Sequence, residues 1–261
     1  MKVFQHFCKE LKILLKFPKM FYYKYFYFII PNYILWIDKD IRININWYKF
    51  LVPNNWWVLW VLLETFVRKL FSEMKWLKKV LDIWWFIWES AIFLSTYNDE
   101  IYTYELSPTN FKYLSKNCEQ IKNIHYYNWC VSNSNEDFIK FSETWNVSPI
   151  NKREQEMWYE VKIKNYNIIG ILKDNNFDWL KIDIEWWEYD ILNSIVDAKL
   201  FKFKKWFIEF HDLDKKENME YFNSFYKTLE ELWYTMKLYN NEKENIKINS
   251  NLNFCNLYFE K

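Results

Sequence analysis

From residue 78 to the C-terminus, short apolar runs alternate with segments whose apolar positions recur at helical spacing. The runs at 79–83, 100–105, 124–127, 159–164, 180–184 and 205–210 predict strands, being short and rich in Ile, Val, Tyr and Phe. The segments at 89–97, 108–118, 168–173, 189–196 and 217–232 predict helices. Ser107 is placed as the N-cap of the second and Pro108 at its first helical position. Two closing strands are expected at 235–239 and 252–259, joined by a polar, low-complexity loop. Strands alternating with helices imply an α/β fold with a doubly wound, mostly parallel sheet. The closing pair places an antiparallel strand at one edge. Residues 132–157 are polar and less regular.

The first 75 residues break this rhythm. They read as helical or irregular to about residue 35, then as a strand at 47–52, then as apolar positions near helical spacing over 58–75. The expected organisation is an N-terminal extension, 1–75, and a main domain, 76–261. Residues 17–37 are strongly apolar and aromatic, but Lys19, Lys24 and Pro31 interrupt what a membrane span of about 20 residues would need. Two roles stay open for this segment: a helix that covers the active site, or a basic, aromatic surface helix in weak contact with lipid.

Composition changes the picture in one respect. Of 261 residues, 26% are charged and the net charge is +1. That excludes wholesale disorder and offers no general field for nucleic acid, so no nucleic-acid partner is expected. Glycine, however, appears once and tryptophan 17 times, where average usage gives about 18 glycines. Many of the tryptophans stand in doublets at element ends: Trp56-Trp57, Trp84-Trp85 and Trp186-Trp187. The pattern follows if UGA codons that specify glycine have been written as tryptophan. The expectation is glycine at all 17 positions.

Cys8, Cys118, Cys130 and Cys255 are scattered, with no C-x-x-C pair, and read as reduced thiols of a cytoplasmic protein, peripheral to the membrane if the N-terminus touches lipid. His6, His125 and His211 are too dispersed to mark a metal site by spacing, and no metal is expected.

The chemistry concentrates in two blocks. In the first, the strand Val80-Leu81-Asp82-Ile83 runs through Trp84-Trp85-Phe86-Ile87-Trp88 into Glu89-Ser90. With glycine restored it is a strand, a glycine-rich turn and a helix, the arrangement that brings backbone close to a nucleotide-like ligand. Glu105 ends the next strand, 17 residues after Trp88, where an acid accepts hydrogen bonds from ribose hydroxyls. The second block is Leu180-Lys181-Ile182-Asp183-Ile184-Glu185-Trp186-Trp187-Glu188.

Taken with Glu105 and Trp206-Phe207-Ile208-Glu209-Phe210-His211, these blocks closely resemble the FkbM-type S-adenosylmethionine-dependent methyltransferases over roughly residues 76–260. Tryptophan stands at each glycine that defines that family. The resemblance implies a Rossmann-like, class I methyltransferase fold with a seven-stranded sheet, the extension packed across its C-terminal edge. It implies S-adenosyl-L-methionine as cofactor, held by Asp82, Trp84, Trp85, Trp88 and Glu105. Asp183, Glu185 and Glu188 would line the sheet edge near the methyl-donating sulfonium. O-methylation requires a proton to leave the attacking oxygen, so Asp183, Glu185 and His211 are the candidate catalytic groups. The alternative for Asp183 and Glu185 is capping of the following helix. The function implied is methyl transfer to a hydroxyl of a sugar, glycolipid or small metabolite. An NAD-dependent oxidoreductase and a non-catalytic membrane-surface module are the competing readings. The first turn is D-x-G-G-x-x-G rather than G-x-G-x-x-G, which weighs against the former. Neither the acceptor nor the oligomeric state is legible.

Overall fold

The computed structural model describes residues 40–45, 48–53, 58, 61–62, 65–66, 70–84, 89–142, 160–184, 187–238 and 254–261. The chain divides into two compact units, residues 1–70 with 148–154, and residues 71–147 with 155–261.

In the first unit β1 (Ile41–Ile45) pairs antiparallel with β2 (Tyr48–Val52), Ile41 opposite Val52. The run I-R-I-N-I alternates with a period of two, as a strand with one covered face does. Phe50 and Val52 are buried, and the Phe50 ring lies 5.4 Å from that of Phe66. The apolar segment 17–37 lies outside the described residues.

The second unit contains β3 (Lys79–Trp84), α1 (Glu89–Ser95), β4 (Glu100–Glu105), α2 (Pro108–Cys118), β5 (Ile124–Tyr127), β6 (Cys130–Ser132), β7 (Phe138–Ser142), β8 (Glu160–Asn167), α3 (Ile168–Asp174), β9 (Trp179–Asp183), α4 (Glu188–Asp197), β10 (Lys205–His211), α5 (Lys216–Glu231), β11 (Thr235–Leu238) and β12 (Phe254–Glu260). Seven strands form the main sheet in the order β11-β12-β10-β9-β3-β4-β5. The pairs from β10 through β5 are parallel, and β12 runs antiparallel to both neighbours. The expected antiparallel strand is therefore present, but one place inside the edge. The crossover through α5 leaves a one-strand gap between β10 and β11, and β12 returns into it. Its near-continuous apolar sequence suits that place: Cys255, Leu257, Tyr258 and Phe259 are all buried.

The central strands are apolar for the same reason. Val80, Leu81, Leu180, Ile182, Phe207 and Ile208 are fully buried, and helix residues Ile191, Leu192, Ile195, Phe222, Phe225 and Leu229 cover the sheet. Ser107 caps α2 as expected: its hydroxyl oxygen accepts the Asn110 N–H at 3.1 Å. The stretch read as irregular contains β7, and β6 ends at its first residue; both join β8 in a separate three-stranded sheet. Both are short and lean on tertiary contacts: Asn165 of β8 accepts from the Ser132 hydroxyl and donates to the Ser134 and Glu136 carbonyls.

Among the described residues, four tryptophans mark two extremes. Trp179 and Trp206 are fully buried, Trp206 inside an aromatic cluster with Phe203, Phe225 and Tyr234. Trp76 and Trp233 are the reverse, 80% and 86% exposed, each with a φ of 68°. Only the second pair occupies backbone that favours glycine. The single glycine of the sequence, Gly170, lies within α3 and has no positive φ.

Candidate active site

Parallel register carries the chemistry-bearing residues to one end of the sheet. Trp84 pairs with Glu105 on one side and with Asp183 on the other, so the ends of β4, β3 and β9 form a row. Strands are about 4.8 Å apart, which sets the Glu105 and Asp183 backbones about 10 Å apart. Glu209 and His211 continue the row from β10, whose Ile208 pairs with Ile182.

Beneath the row lies a buried ionic cluster. Lys181 is fully buried, its ammonium 3.3 Å from Asp82 Oδ1 and 3.7 Å from Asp183 Oδ2. The Phe71 and Phe207 rings flank it at 5.6 and 5.9 Å. The Ser90 hydroxyl donates to Asp82 Oδ2 at 2.7 Å. A lone ammonium in such a place would be prohibitive, so the two aspartates are what let a lysine occupy a core strand. Glu89, the first residue of α1, is buried in the same region, and desolvation pushes its carboxyl up to about 8 against the pull of Lys181. Glu89 therefore keeps its proton at neutral pH.

The N-terminus of α4 grips the end of β10. The His211 main-chain N–H donates to Glu188 Oε1 at 2.9 Å, and His211 Nδ1 lies 3.2 Å from the same oxygen. The Tyr189 hydroxyl donates to the His211 carbonyl. His211 Nε2 lies 3.6 Å from Glu209 Oε1. Ligand atoms of Asp183, Glu209 and His211 all fall within 4.8 Å of one another.

The structure thus brings Asp183 and His211 together. Asp82 lies two residues below the row on β3, buried and engaged by Lys181 and Ser90. Glu105 is at the far end of the row, buried, with the Ser107 N–H donating to its Oε1 at 2.6 Å. Trp84 ends β3 between Glu105 and Asp183, while Trp85, Trp88 and Glu185 lie outside the described residues. His125 stacks on Tyr102 at 4.5 Å, away from this row. Cys118, Cys130 and Cys255 are free and buried, and burial raises each thiol. Sequence reasoning gives no role to Lys181, Glu89 or Glu209. The available signal was a charged residue inside an otherwise apolar strand. The expectation of no metal rested on histidine spacing, which says nothing about acids arriving from neighbouring strands.

Among described residues, no helix is long and apolar enough to cross a membrane. Among solved structures, the Streptococcus mutans protein SMU.1697c in complex with SAH is similar at 11% identity and a TM-score of 0.44, over 74% of this chain and 94% of that one. Methyltransferase FkbM from Methylobacillus flagellatus KT is 14% identical with a TM-score of 0.43, over 72% of this chain and 44% of that one. Aeropyrum pernix fibrillarin, with natively bound S-adenosyl-L-methionine, is 12% identical with a TM-score of 0.43, over 84% and 82%. No curated protein matches the chain. The family model described as the methyltransferase FkbM domain matches residues 70–241, well over half of the 261. With the sheet order above, the fold is the Rossmann-like α/β fold of class I methyltransferases. The chain belongs to the FkbM methyltransferase family, and its cofactor is S-adenosyl-L-methionine.

Proposed function

We propose that this methyltransferase acts on a hydroxyl oxygen of a sugar, a glycolipid or a small metabolite. The observation that carries the reading is the meeting of Asp183, Glu209 and His211 at the end of β9 and β10, beside the row that runs through Trp84 to Glu105. S-adenosyl-L-methionine, when bound, supplies a methyl group on a sulfonium. Glu105, buried at the end of β4, offers a carboxylate acceptor where ribose hydroxyls would lie. Asp82 ties β3 to the first turn of α1 through the Ser90 hydroxyl.

At the other end of the row, Asp183 or His211 takes the proton that the acceptor oxygen must lose. Both groups are partly exposed, at 12% and 17% of the side chain, so a substrate can reach them. A net charge of +1 supports a small or glycan acceptor over a polyanion. The test is a thermal shift of the full chain against S-adenosylhomocysteine, NAD and liposomes, followed by mass analysis of products from a panel of hydroxyl, amine and thiol acceptors. Methylation of a hydroxyl is expected. Transfer confined to nitrogen or sulfur acceptors would refute the reading.

A further inference from the structure

We propose that Asp183, Glu209 and His211 bind a divalent cation, with Glu188 holding the histidine in its ligating orientation. The proposal rests on the reading of this edge as the acceptor side. The three ligand atoms lie within 4.8 Å of one another. Side chains around a metal with bonds of about 2.1 Å sit about 3–4 Å apart, so small rotations close the set. All three are partly buried, with side-chain exposures from 12% to 19%.

The imidazole supplies a second, independent argument. Both of its nitrogens face carboxylates, Nδ1 that of Glu188 at 3.2 Å and Nε2 that of Glu209 at 3.6 Å. A neutral ring has one N–H to give. With Glu188 holding the Nδ1 side, Nε2 stands beside Glu209 Oε1; an imidazolium gives an N–H to each carboxylate, and a cation bound between Nε2 and Glu209 takes the place of the Nε2 proton. Glu188 Oε2 is itself buried with no hydrogen-bond partner among the described residues, and Oε1 meets both the main-chain N–H and Nδ1 of His211. A carboxylate that orients a ligating histidine through its other nitrogen is the usual outer shell of a metal site. Lys181 faces Asp183 from below, its ammonium 3.7 Å from Asp183 Oδ2.

Two carboxylates and one imidazole suit manganese or magnesium, and manganese takes both ligand types readily. Three protein ligands leave coordination positions for water and an acceptor oxygen. A hydroxyl bound there loses its proton more easily: the O–H bond breaks, the electron pair stays on the metal-bound oxygen, and the proton passes to water. With a cation bound, Asp183 and His211 hold it and the proton goes to water; without one, either group takes the proton itself, as proposed above.

The test titrates Mn2+ into the full chain, followed by paramagnetic resonance and calorimetry, with no methyl donor or acceptor present. One site is expected. Asp183→Asn, Glu209→Gln and His211→Ala should each weaken it at least tenfold, and Glu188→Gln by about 10- to 100-fold, while Lys216→Ala on exposed α5 leaves it unchanged. Glu209→Gln is isosteric, and a retained melting transition establishes that this variant folds. No bound Mn2+ at millimolar concentration, or equal affinity in all variants, overturns the cation site. The readout is separable from the reaction. A chain that methylates hydroxyls but ignores Mn2+ loses only this inference, and one that binds Mn2+ at these residues but methylates nitrogen loses only the acceptor reading.

Discussion

Position 233 offers a direct measure of what the backbone demands. The Trp233 N–H donates to the Glu230 carbonyl at 2.9 Å and the Tyr234 N–H to the Leu229 carbonyl at 3.0 Å. This is the paired closure that ends a helix with its first non-helical residue in the left-handed region, and Trp233 is that residue, at a φ of 68°. The buried Leu229 and Tyr234 give the motif its apolar contact. A residue with a Cβ pays about 1–2 kcal/mol there, whereas glycine adds about 0.4–1 kcal/mol of unfolded-state entropy. Comparing Trp233→Gly with Trp233→Ala cancels the removal of the indole, which is 86% exposed. The glycine variant should be more stable by about 0.5–1 kcal/mol, read as a higher urea midpoint at unchanged slope. Gly170→Ala is the opposite control: its φ is not positive, an added Cβ meets only Tyr166 Cε1 at 3.9 Å, and alanine should win by about 0.5–1 kcal/mol. If alanine equals or exceeds glycine at 233, the claim that this turn requires glycine is wrong. Peptide mass spectrometry of the native protein then reads directly whether glycine or tryptophan occupies 76, 84, 85 and 233.

Three further outcomes follow from the site. Lys181→Ala should destabilise the chain by about 3–5 kcal/mol in chemical denaturation, because Asp82 and Asp183 would be left without their buried counter-charge; a change under about 1 kcal/mol would show that the cluster is wet. Glu89 has its folded pKa raised from 4.5 to about 8, so between those values the unfolded chain has released a proton that the folded chain keeps. Its contribution is whole below about 4.5 and falls on the order of 1.4 kcal/mol per pH unit up to about 8. Glu89→Gln should flatten that slope, and an unchanged slope would place the titration elsewhere. Glu105→Ala should weaken S-adenosylhomocysteine binding by about 1.5–3 kcal/mol in calorimetry for each ribose hydrogen bond removed; unaltered affinity would take Glu105 out of the cofactor site.

Local pattern was enough for the elements of the main sheet. Its central strands are short, mostly apolar runs, as parallel strands buried on both faces are, so the runs at 79–83, 180–184 and 205–210 announced both their conformation and their centrality. The cap at Ser107 and the acids at strand ends were legible because they depend on residues near in sequence. Other features depend on what lies alongside. The place of β12 inside the edge follows from the width of a crossover, which no local pattern encodes, and β6 and β7 are strands only because β8 supplies their hydrogen bonds. Lys181 looks like an exposed lysine until Asp82, 99 positions earlier, arrives beside it on the next strand. Likewise Asp183, Glu209 and His211 became one cluster only when parallel pairing of β9 with β10 and the grip of Glu188 fixed their distances. Sequence sets which groups stand at strand ends. Tertiary pairing sets which of them share a dielectric environment, and electrostatic chemistry depends on that proximity.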